Sequence, residues 1–135
     1  MTLQRKASGV LQLVRPELAS AAGMCVVIGE LLALGAFPSL RAAGLGFSCG
    51  FLLSGSALIT NDYFDLAVDR INAPQRPLPA GLLTRPAVMA LGIGAALLGL
   101  AAAWALNPLA LGLSLVVWLV GFAYNWKLKA TGLWG

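Results

Sequence analysis

Residues 61–81, NDYFDLAVDRINAPQRPLPAG, contain three of the five carboxylates of a chain that is otherwise strongly apolar. These acids, Asp62, Asp65 and Asp69, come directly after a long run without any charge. Apolar side chains continue between the acids, so the helix that contains the run is predicted to extend over about residues 42–68. At about 100° per residue, the three acids fall within about 60° of one another. The stretch therefore predicts an apolar helix that ends in one acidic stripe.

The composition indicates an integral membrane protein. The chain has 135 residues, of which 59% are hydrophobic and 10% charged, whereas soluble domains average about 25% charged residues. Histidine is absent from the sequence, which excludes imidazole catalysis and histidine metal ligands. Cys25 and Cys49 both lie in apolar runs, and we interpret them as small buried residues without a disulfide. The net charge of +4 is attributed to membrane topology, and no nucleic-acid partner is expected.

Four segments are long and apolar enough to cross a bilayer, which takes about 20 residues. Pro86 and Pro108 fit the first turn of a helix, where the missing N–H group is not needed. Asn107-Pro108 reads as a tight turn between the last two segments. The sequence therefore predicts an all-α membrane protein with four transmembrane helices, over about residues 18–37, 42–68, 86–106 and 108–126.

Basic residues indicate the orientation in the membrane. Eight of them lie on one predicted side and Arg41 alone on the other, the eight being Arg5, Lys6, Arg15, Arg70, Arg76, Arg85, Lys127 and Lys129. The positive-inside rule then places the N-terminus, the 69–85 loop and the C-terminus on the cytoplasmic side of the inner membrane. Residues 1–16 are too short and polar to span, and we expect them to form an interfacial segment.

Small residues recur at the spacing that lets helices in a membrane pack closely. One row lies in the second predicted span and another in the third, with the members Gly46, Gly50 and Ser54, and Ala95, Gly99 and Ala103. We interpret both rows as contact surfaces between helices.

The acidic stripe requires positive charge nearby, since like charges at this spacing repel and the effect grows beside a low-dielectric membrane. Arg70 and Arg76 can supply part of it, and a divalent cation can supply more. Carboxylate and amide oxygens suit Mg²⁺, which completes its shell with water and substrate phosphates. The stripe and the neighbouring arginines therefore predict a magnesium–diphosphate site. The alternative is a solvated helix end whose acids pair with Arg70.

The segment 72–81, NAPQRPLPAG, has three prolines and cannot continue a helix. Two interpretations remain open for it. It can form a semi-rigid cap that presents Arg76 to the acids, or it can be a plain connector.

Several motifs together resemble those of the UbiA-type intramembrane prenyltransferases. The first Asp-rich motif of that family looks like the pattern Asn61-Asp62-x-x-Asp65-x-x-x-Asp69 in this chain. The similarity continues through the residues that follow the pattern, which are Arg70, Asn72, Pro74, Arg76-Pro77-Leu78 and Gly81. Two further segments, LVRP at 13–16 and YNWKLK at 124–129, are also similar. The wording is closest to the branch that contains geranylgeranylglyceryl phosphate geranylgeranyltransferase and chlorophyll synthase.

The resemblance implies Mg²⁺-dependent transfer of a prenyl group, geranylgeranyl in this branch, from a polyprenyl diphosphate to a lipid-phase acceptor. The resemblance implies that Mg²⁺ is held by Asn61, Asp62, Asp65 and Asp69. It implies that the diphosphate is bound by Asn61, Arg70, Arg76, Lys127 and Lys129. The residues implied to take part in catalysis are Asp62, Asp65 and Tyr124, and Tyr124 would donate to the bridging oxygen. Membrane lipid surrounds such a site.

The chain departs from the family pattern in one respect. The family fold has nine transmembrane helices and a second Asp-rich motif, whereas this sequence has four predicted spans and no acid after Asp69. Residues 1–135 are therefore expected to be a single partial domain, the N-terminal part of the nine-helix bundle. A full site would need the missing C-terminal helices or a complementary half.

Three other classes of protein share some of these features. A small four-helix proton-coupled transporter would use Glu30, a carboxylate within the first span. A CDP-alcohol phosphotransferase also uses membrane-surface aspartates, but its Asp-Gly and Ala-Arg pairs do not occur around Asp62 and Asp69. A noncatalytic membrane module would use the acids only to bind a partner.

Overall fold

A computed structural model describes residues 3–131, and among these it contains six α-helices, one short 3-10 helix and no strand. The α-helices are α1 (Leu3–Val14), α2 (Pro16–Leu34), α3 (Leu40–Phe64), α4 (Leu66–Asn72), α5 (Arg85–Leu106) and α6 (Pro108–Trp126), and the 3-10 helix is Leu128–Thr131. Four of them, α2, α3, α5 and α6, are long and apolar enough to cross a membrane. The predicted all-α architecture with four membrane helices is confirmed.

The predicted bounds of the last two spans agree with α5 and α6, and both helices begin with a proline in the first turn. The Thr84 hydroxyl accepts a hydrogen bond from the N–H of Ala87 at the start of α5. The Asn107 side chain does the same for Ala110, at 2.8 Å. These caps satisfy N–H groups that have no partner within their helix. Asn107 alone joins the two helices, as the predicted tight turn requires.

The prediction for the end of the first span, at about residue 37, is wrong. Helix α2 ends at Leu34 because Gly35 takes a left-handed conformation, with φ 62°. A residue without a Cβ takes this conformation at little cost, and it commonly terminates helices. Cys25, predicted to be buried, lies exposed on this helix, whereas Cys49 on α3 is buried.

The second predicted span, 42–68, is not one continuous helix. Helix α3 stops at Phe64, Asp65 takes φ −85° and ψ 6°, and α4 runs on to Asn72. These angles lie in the sparsely populated bridge region between helix and strand conformations. The predicted 69–85 loop is accordingly shorter, because its first four residues, 69–72, are helical.

Helix α3 is the centre of the bundle and packs against α2 on one side and α5 on another. Glycines allow this close approach. A Cβ added at Gly50 would lie 2.8 Å from the carbonyl oxygen of Ala22, and one added at Gly99 would lie 2.9 Å from Cγ of Leu53. Both predicted small-residue rows therefore do contain a helix contact.

One end of the bundle is covered by α1, α4 and the segment that follows α4. An apolar cluster joins these elements to α3 and α5, and its buried members are Leu13, Ile59, Leu66, Leu78 and Val88. Helix α1 packs against this segment at Gly9, where an added Cβ would lie 3.6 Å from Pro77 and 3.7 Å from Leu82, an ordinary van der Waals distance. The proline-rich segment is thus anchored by Leu78, which favours the cap over the plain connector. Met1 and Thr2 lie outside the described residues, and the interfacial position of 1–16 stays a prediction.

Candidate functional site

The predicted acids lie where α3 gives way to α4, beneath the proline-rich cap. Asp62 is only 2% exposed although it is charged. Its carboxylate accepts a 2.8 Å hydrogen bond from the Arg15 guanidinium and a longer one, at 3.5 Å, from Arg76. A buried carboxylate requires such partners, because desolvation without them is very unfavourable.

Asp69, one turn into α4, is 5% exposed and binds Arg76 through both carboxylate oxygens, at 2.8 and 2.7 Å. The hydrogen bond to Asp69 raises the pKa of Arg76 above its already high ordinary value, so the guanidinium stays charged. Both oxygens of Asp69 are taken by this contact. In this arrangement Asp69 orients Arg76 towards Asp62.

The other polar pair of this region faces the C-terminal part of the described chain. The Lys129 ammonium donates to the Asp65 carboxylate at 2.5 Å and to the Asn61 amide oxygen at 3.3 Å. Asn61 and Asp65 are four residues apart, which places them on one helix face. Lys129, in the 3-10 helix after α6, thereby links the end of α6 to the end of α3.

The single acidic stripe of the sequence prediction is therefore divided into two sets. Asp62 and Asp69 share Arg76, whereas Asp65 and Asn61 share Lys129. We call these six side chains, with Arg15, the polar cluster: Arg15, Asn61, Asp62, Asp65, Asp69, Arg76 and Lys129. Three cations offset three carboxylates, which removes the repulsion that the acids would otherwise have.

The sequence pattern indicates Arg15 only as a topology signal and as part of a motif, and does not predict it as a site residue. Its backbone takes the left-handed conformation, with φ 48° and ψ 68°, between α1 and α2. For a residue with a Cβ this costs roughly 1–2 kcal/mol. The turn aims the guanidinium at Asp62 from another helix. The available signal was an arginine directly before the helix-starting Pro16.

The other predicted site residues lie around the polar cluster. Arg70 is exposed on α4, and none of the described ion pairs includes it. Lys127 follows α6 and lies 5.3 Å from the ring of Trp126. Tyr124 is half-buried in the last turn of α6. The roles assigned to these three side chains stay predictions.

An apolar cavity of about 450 Å³ begins beside the polar cluster and runs between helices. Its base is α3, and its sides are α2 and α6, which do not contact each other within residues 3–131. Thr60 and Phe122 lie at the end near the acids, and Cys49 and Ser114 at the other. The described lining includes no charged side chain, but Thr60, which lines one end, directly precedes Asn61 of the polar cluster.

Trp118 forms part of the wall of this cavity, and a buried hydroxyl holds its ring. The indole N–H donates to Ser56 at 3.0 Å, and the Ser56 hydroxyl donates to the carbonyl of Gly92 at 2.7 Å. This chain of hydrogen bonds connects α6, α3 and α5. The Phe122 ring packs against Trp118 and Phe64, with ring centroids 5.5 and 5.7 Å apart.

The donor chemistry of the cluster fits a hard divalent cation. Asn61, Asp62 and Asp65 present oxygen atoms within five residues of chain, and each already faces a cationic group. Within residues 3–131 no three acidic or sulfur side chains converge as a metal cage. Mg²⁺ takes one or two protein carboxylates and completes its shell with water and phosphate oxygens, so a site of that kind would need only part of this oxygen set.

Comparison with known proteins identifies the class that this fold and site define. Residues 22–135 match the UbiA prenyltransferase family, and the chain belongs to that family. The resemblance seen in the motifs is therefore confirmed.

Particular relatives are named digeranylgeranylglyceryl phosphate synthase. That of Thermococcus kodakarensis is 36% identical over 119 residues, which cover 88% of this chain and 43% of the relative. That of Methanoregula boonei is 34% identical over 127 residues, or 94% of this chain and 45% of the relative. The chain thus spans less than half the length of these curated relatives.

A solved structure of digeranylgeranylglyceryl phosphate synthase in membranes is also similar, with a TM-score of 0.88 and 28% sequence identity. The likeness covers 92% of this chain and 44% of that structure. The arrangement of helices described above is therefore that of part of a UbiA-type membrane prenyltransferase, and the chain is an integral membrane protein.

Proposed function

We propose that this chain provides the donor-binding part of an enzyme that transfers a prenyl group, geranylgeranyl in this branch, from a polyprenyl diphosphate to a membrane-held acceptor. The observation that carries the proposal is that one end of the apolar cavity, at Thr60, lies next to the polar cluster, at Asn61. A prenyl diphosphate has the same two parts, a charged head and a long apolar tail. The relatives' name, digeranylgeranylglyceryl phosphate synthase, supports this class of donor.

The cations of the polar cluster bind the diphosphate in this proposal. Arg15, Arg76 and Lys129 converge from three separate parts of the chain, and their contacts with the acids keep them in place before the donor arrives. Preorganised positive charge stabilises the departing diphosphate more than the bound donor, because its negative charge grows as the carbon–oxygen bond breaks. Lys127 and Arg70 add positive charge at the rim.

Mg²⁺ fits as the cofactor, with Asn61, Asp62 and Asp65 as its protein ligands, and it would supply further charge neutralisation to the leaving diphosphate. Asp69 was predicted as a fourth ligand. Its bidentate contact with Arg76 instead supports a role in positioning that guanidinium. Tyr124 is proposed to donate a proton to the bridging oxygen from the last turn of α6.

In this proposal the apolar walls of the cavity limit the access of water to the cation that forms at the end of the prenyl group. The described lining at the end near the acids includes Thr60 and the Phe122 ring. The Thr60 hydroxyl is already donated to the carbonyls of Ser56 and Ala57. The nearby side chains thus present an aromatic ring and methyl groups to the reacting carbon, which limits premature trapping of the cation.

The proposed location follows from the charge distribution. With the polar cluster, the N-terminus and the C-terminal end of α6 on the cytoplasmic side of the inner membrane, both substrates would reach the site from that leaflet. The remainder of a full site, including a second group of acids, would come from C-terminal helices or a complementary chain.

The transporter alternative rested on Glu30. One of its carboxylate oxygens is buried without a hydrogen-bond partner among the described residues, and its side chain lies against Gly46. Glu30 lies near the C-terminal end of α2, whereas Arg15 and the polar cluster lie at its N-terminal end. Membership of the prenyltransferase family favours the enzyme over the transporter.

The test is binding of geranylgeranyl thiolodiphosphate, an unreactive donor analogue, to the chain in lipid nanodiscs with Mg²⁺. Asp62→Asn and Asp65→Asn should each weaken binding about tenfold or more, a loss of at least about 1.4 kcal/mol. Glu30→Gln is the matched control and should bind as the unaltered chain does. Equal affinity for all four proteins would contradict the proposed site.

A further inference from the structure

The end of the apolar cavity that lies away from the polar cluster is closed by a specific contact. Cys49 on α3 and Ser114 on α6 approach to 3.6 Å between sulfur and hydroxyl oxygen. Both residues line the cavity. Cys49 lies on the base of the cavity and Ser114 on one of its sides, so at this point the α6 side meets the α3 base.

Beyond this contact the bundle is packed. Cys49, Ala102 and Ala103 form an apolar cluster, with Leu45 and Ala110 against it. The members come from α3, α5 and the start of α6, so the space between α3 and α6 is filled there. A chain that enters the cavity at the polar cluster therefore meets side chains at Cys49 and Ser114.

The distance from the charged end to this floor is set by the helix. Eleven residues separate Thr60 from Cys49 along α3, and at 1.5 Å per residue this is about 16 Å. The diphosphate end is fixed by the polar cluster, so the available length for an apolar tail is fixed as well. Small side chains at Gly50 and Ala57 keep this length open along α3.

We infer that the Cys49–Ser114 contact forms the floor of the tail site and that Ser114 is a specificity-determining residue for the length of the prenyl group. The inference rests on the proposed function, since it takes the cavity to hold a prenyl tail. Ser114 is the better residue to vary, because it is half-buried whereas Cys49 is fully packed.

The experiment compares thiolodiphosphate analogues that carry geranyl, farnesyl or geranylgeranyl groups, each bound to the chain in nanodiscs with Mg²⁺. Ser114→Phe extends a ring into the cavity from its floor. It should lower the affinity for the geranylgeranyl analogue about tenfold or more and leave the geranyl analogue within about twofold. Leu115→Phe is the matched control on the same helix, since Leu115 does not line the cavity, and it should leave all three affinities unchanged.

The outcomes separate the two proposals. If Ser114→Phe weakens all three analogues equally, or none of them, while Asp62→Asn still weakens binding about tenfold or more, the inference about the floor is overturned and the donor site stands. If the unaltered chain binds none of the analogues more tightly than inorganic diphosphate, both the proposed function and the inference fail.

Discussion

The two halves of α3 are held by different kinds of interaction. The half within the bundle approaches α2 and α5 so closely at Gly50 and Gly99 that an added methyl group would collide with the neighbouring helix. The end that carries the acids is held instead by cations from three other segments and by the apolar cluster under the cap. Close packing fixes the scaffold, and charge pairing fixes the site that the scaffold carries.

Stability should fall most when a substitution disturbs the contact between α2 and the half of α3 that lies within the bundle. A Cβ at Gly23 would lie 2.7 Å from the Phe47 ring and 2.8 Å from the Phe47 carbonyl oxygen. Gly23→Ala should therefore lower the free energy of unfolding by about 3 kcal/mol, measured by denaturant titration in detergent. Gly94→Ala, on α5 with no atom within 4 Å of an added Cβ, should show no loss. Equal effects would mean that the close approach of α2 and α3 is not real.

The next largest loss of stability should come from the apolar cluster that joins α1 and the proline-rich cap to α3 and α5. Leu13 on α1 is fully buried in this cluster, so Leu13→Ala should cost about 2 kcal/mol. Amide exchange should rise in α1 and in residues 77–83 and stay low in α5. Leu11→Ala, 60% exposed on the same helix, should change stability by less than about 0.5 kcal/mol. Exchange that rises equally in α5 would show that the cap is not a separate unit.

The ion pair of Asp69 with Arg76 should have a smaller effect. Asp69→Asn removes a charge that accepts two hydrogen bonds, which should cost about 1–2 kcal/mol because Arg76 is partly exposed. The loss should shrink when the comparison is repeated at high salt. Arg70→Gln, the neighbouring exposed residue, serves as the control and should be neutral. An equal loss in both variants would argue against the pairing.

The contact of Lys129 with Asp65 should contribute least to stability. Its partners are 40% and 21% exposed, and ion pairs of this kind contribute less than about 1 kcal/mol. Lys129→Gln should thus leave unfolding nearly unchanged and still weaken binding of the geranylgeranyl thiolodiphosphate. A variant that binds normally would remove Lys129 from the diphosphate site.

The sequence predicted features that depend on local pattern. Apolar runs of sufficient length predicted the four spans, and Pro86 and Pro108 located the starts of α5 and α6 to within a residue. The glycine rows predicted a close helix contact. The cluster of acids predicted the position of the candidate site, since charges after an apolar run need compensation.

Other features depended on contacts between distant segments and could not be predicted in the same way. Arg15 pairs with Asp62 across 47 positions, and nothing in the local pattern specifies that partner. The interruption at Asp65 divides the acids into two sets, whereas the helical periodicity predicted one stripe. Gly35 ends α2 within an apolar run, so hydropathy alone placed the end too late.

The central claim is that the polar cluster and the apolar cavity form one site for a prenyl diphosphate. The most direct test is photolabelling of the chain in nanodiscs with a geranylgeranyl diphosphate analogue that carries a diazirine at the end of its tail, followed by peptide mapping. The account predicts labels on α3 near Cys49 and on α6 near Ser114, lost when EDTA removes Mg²⁺ or when excess unlabelled thiolodiphosphate competes. Labels spread over the outer faces of the helices, unchanged by metal removal or competition, would contradict it.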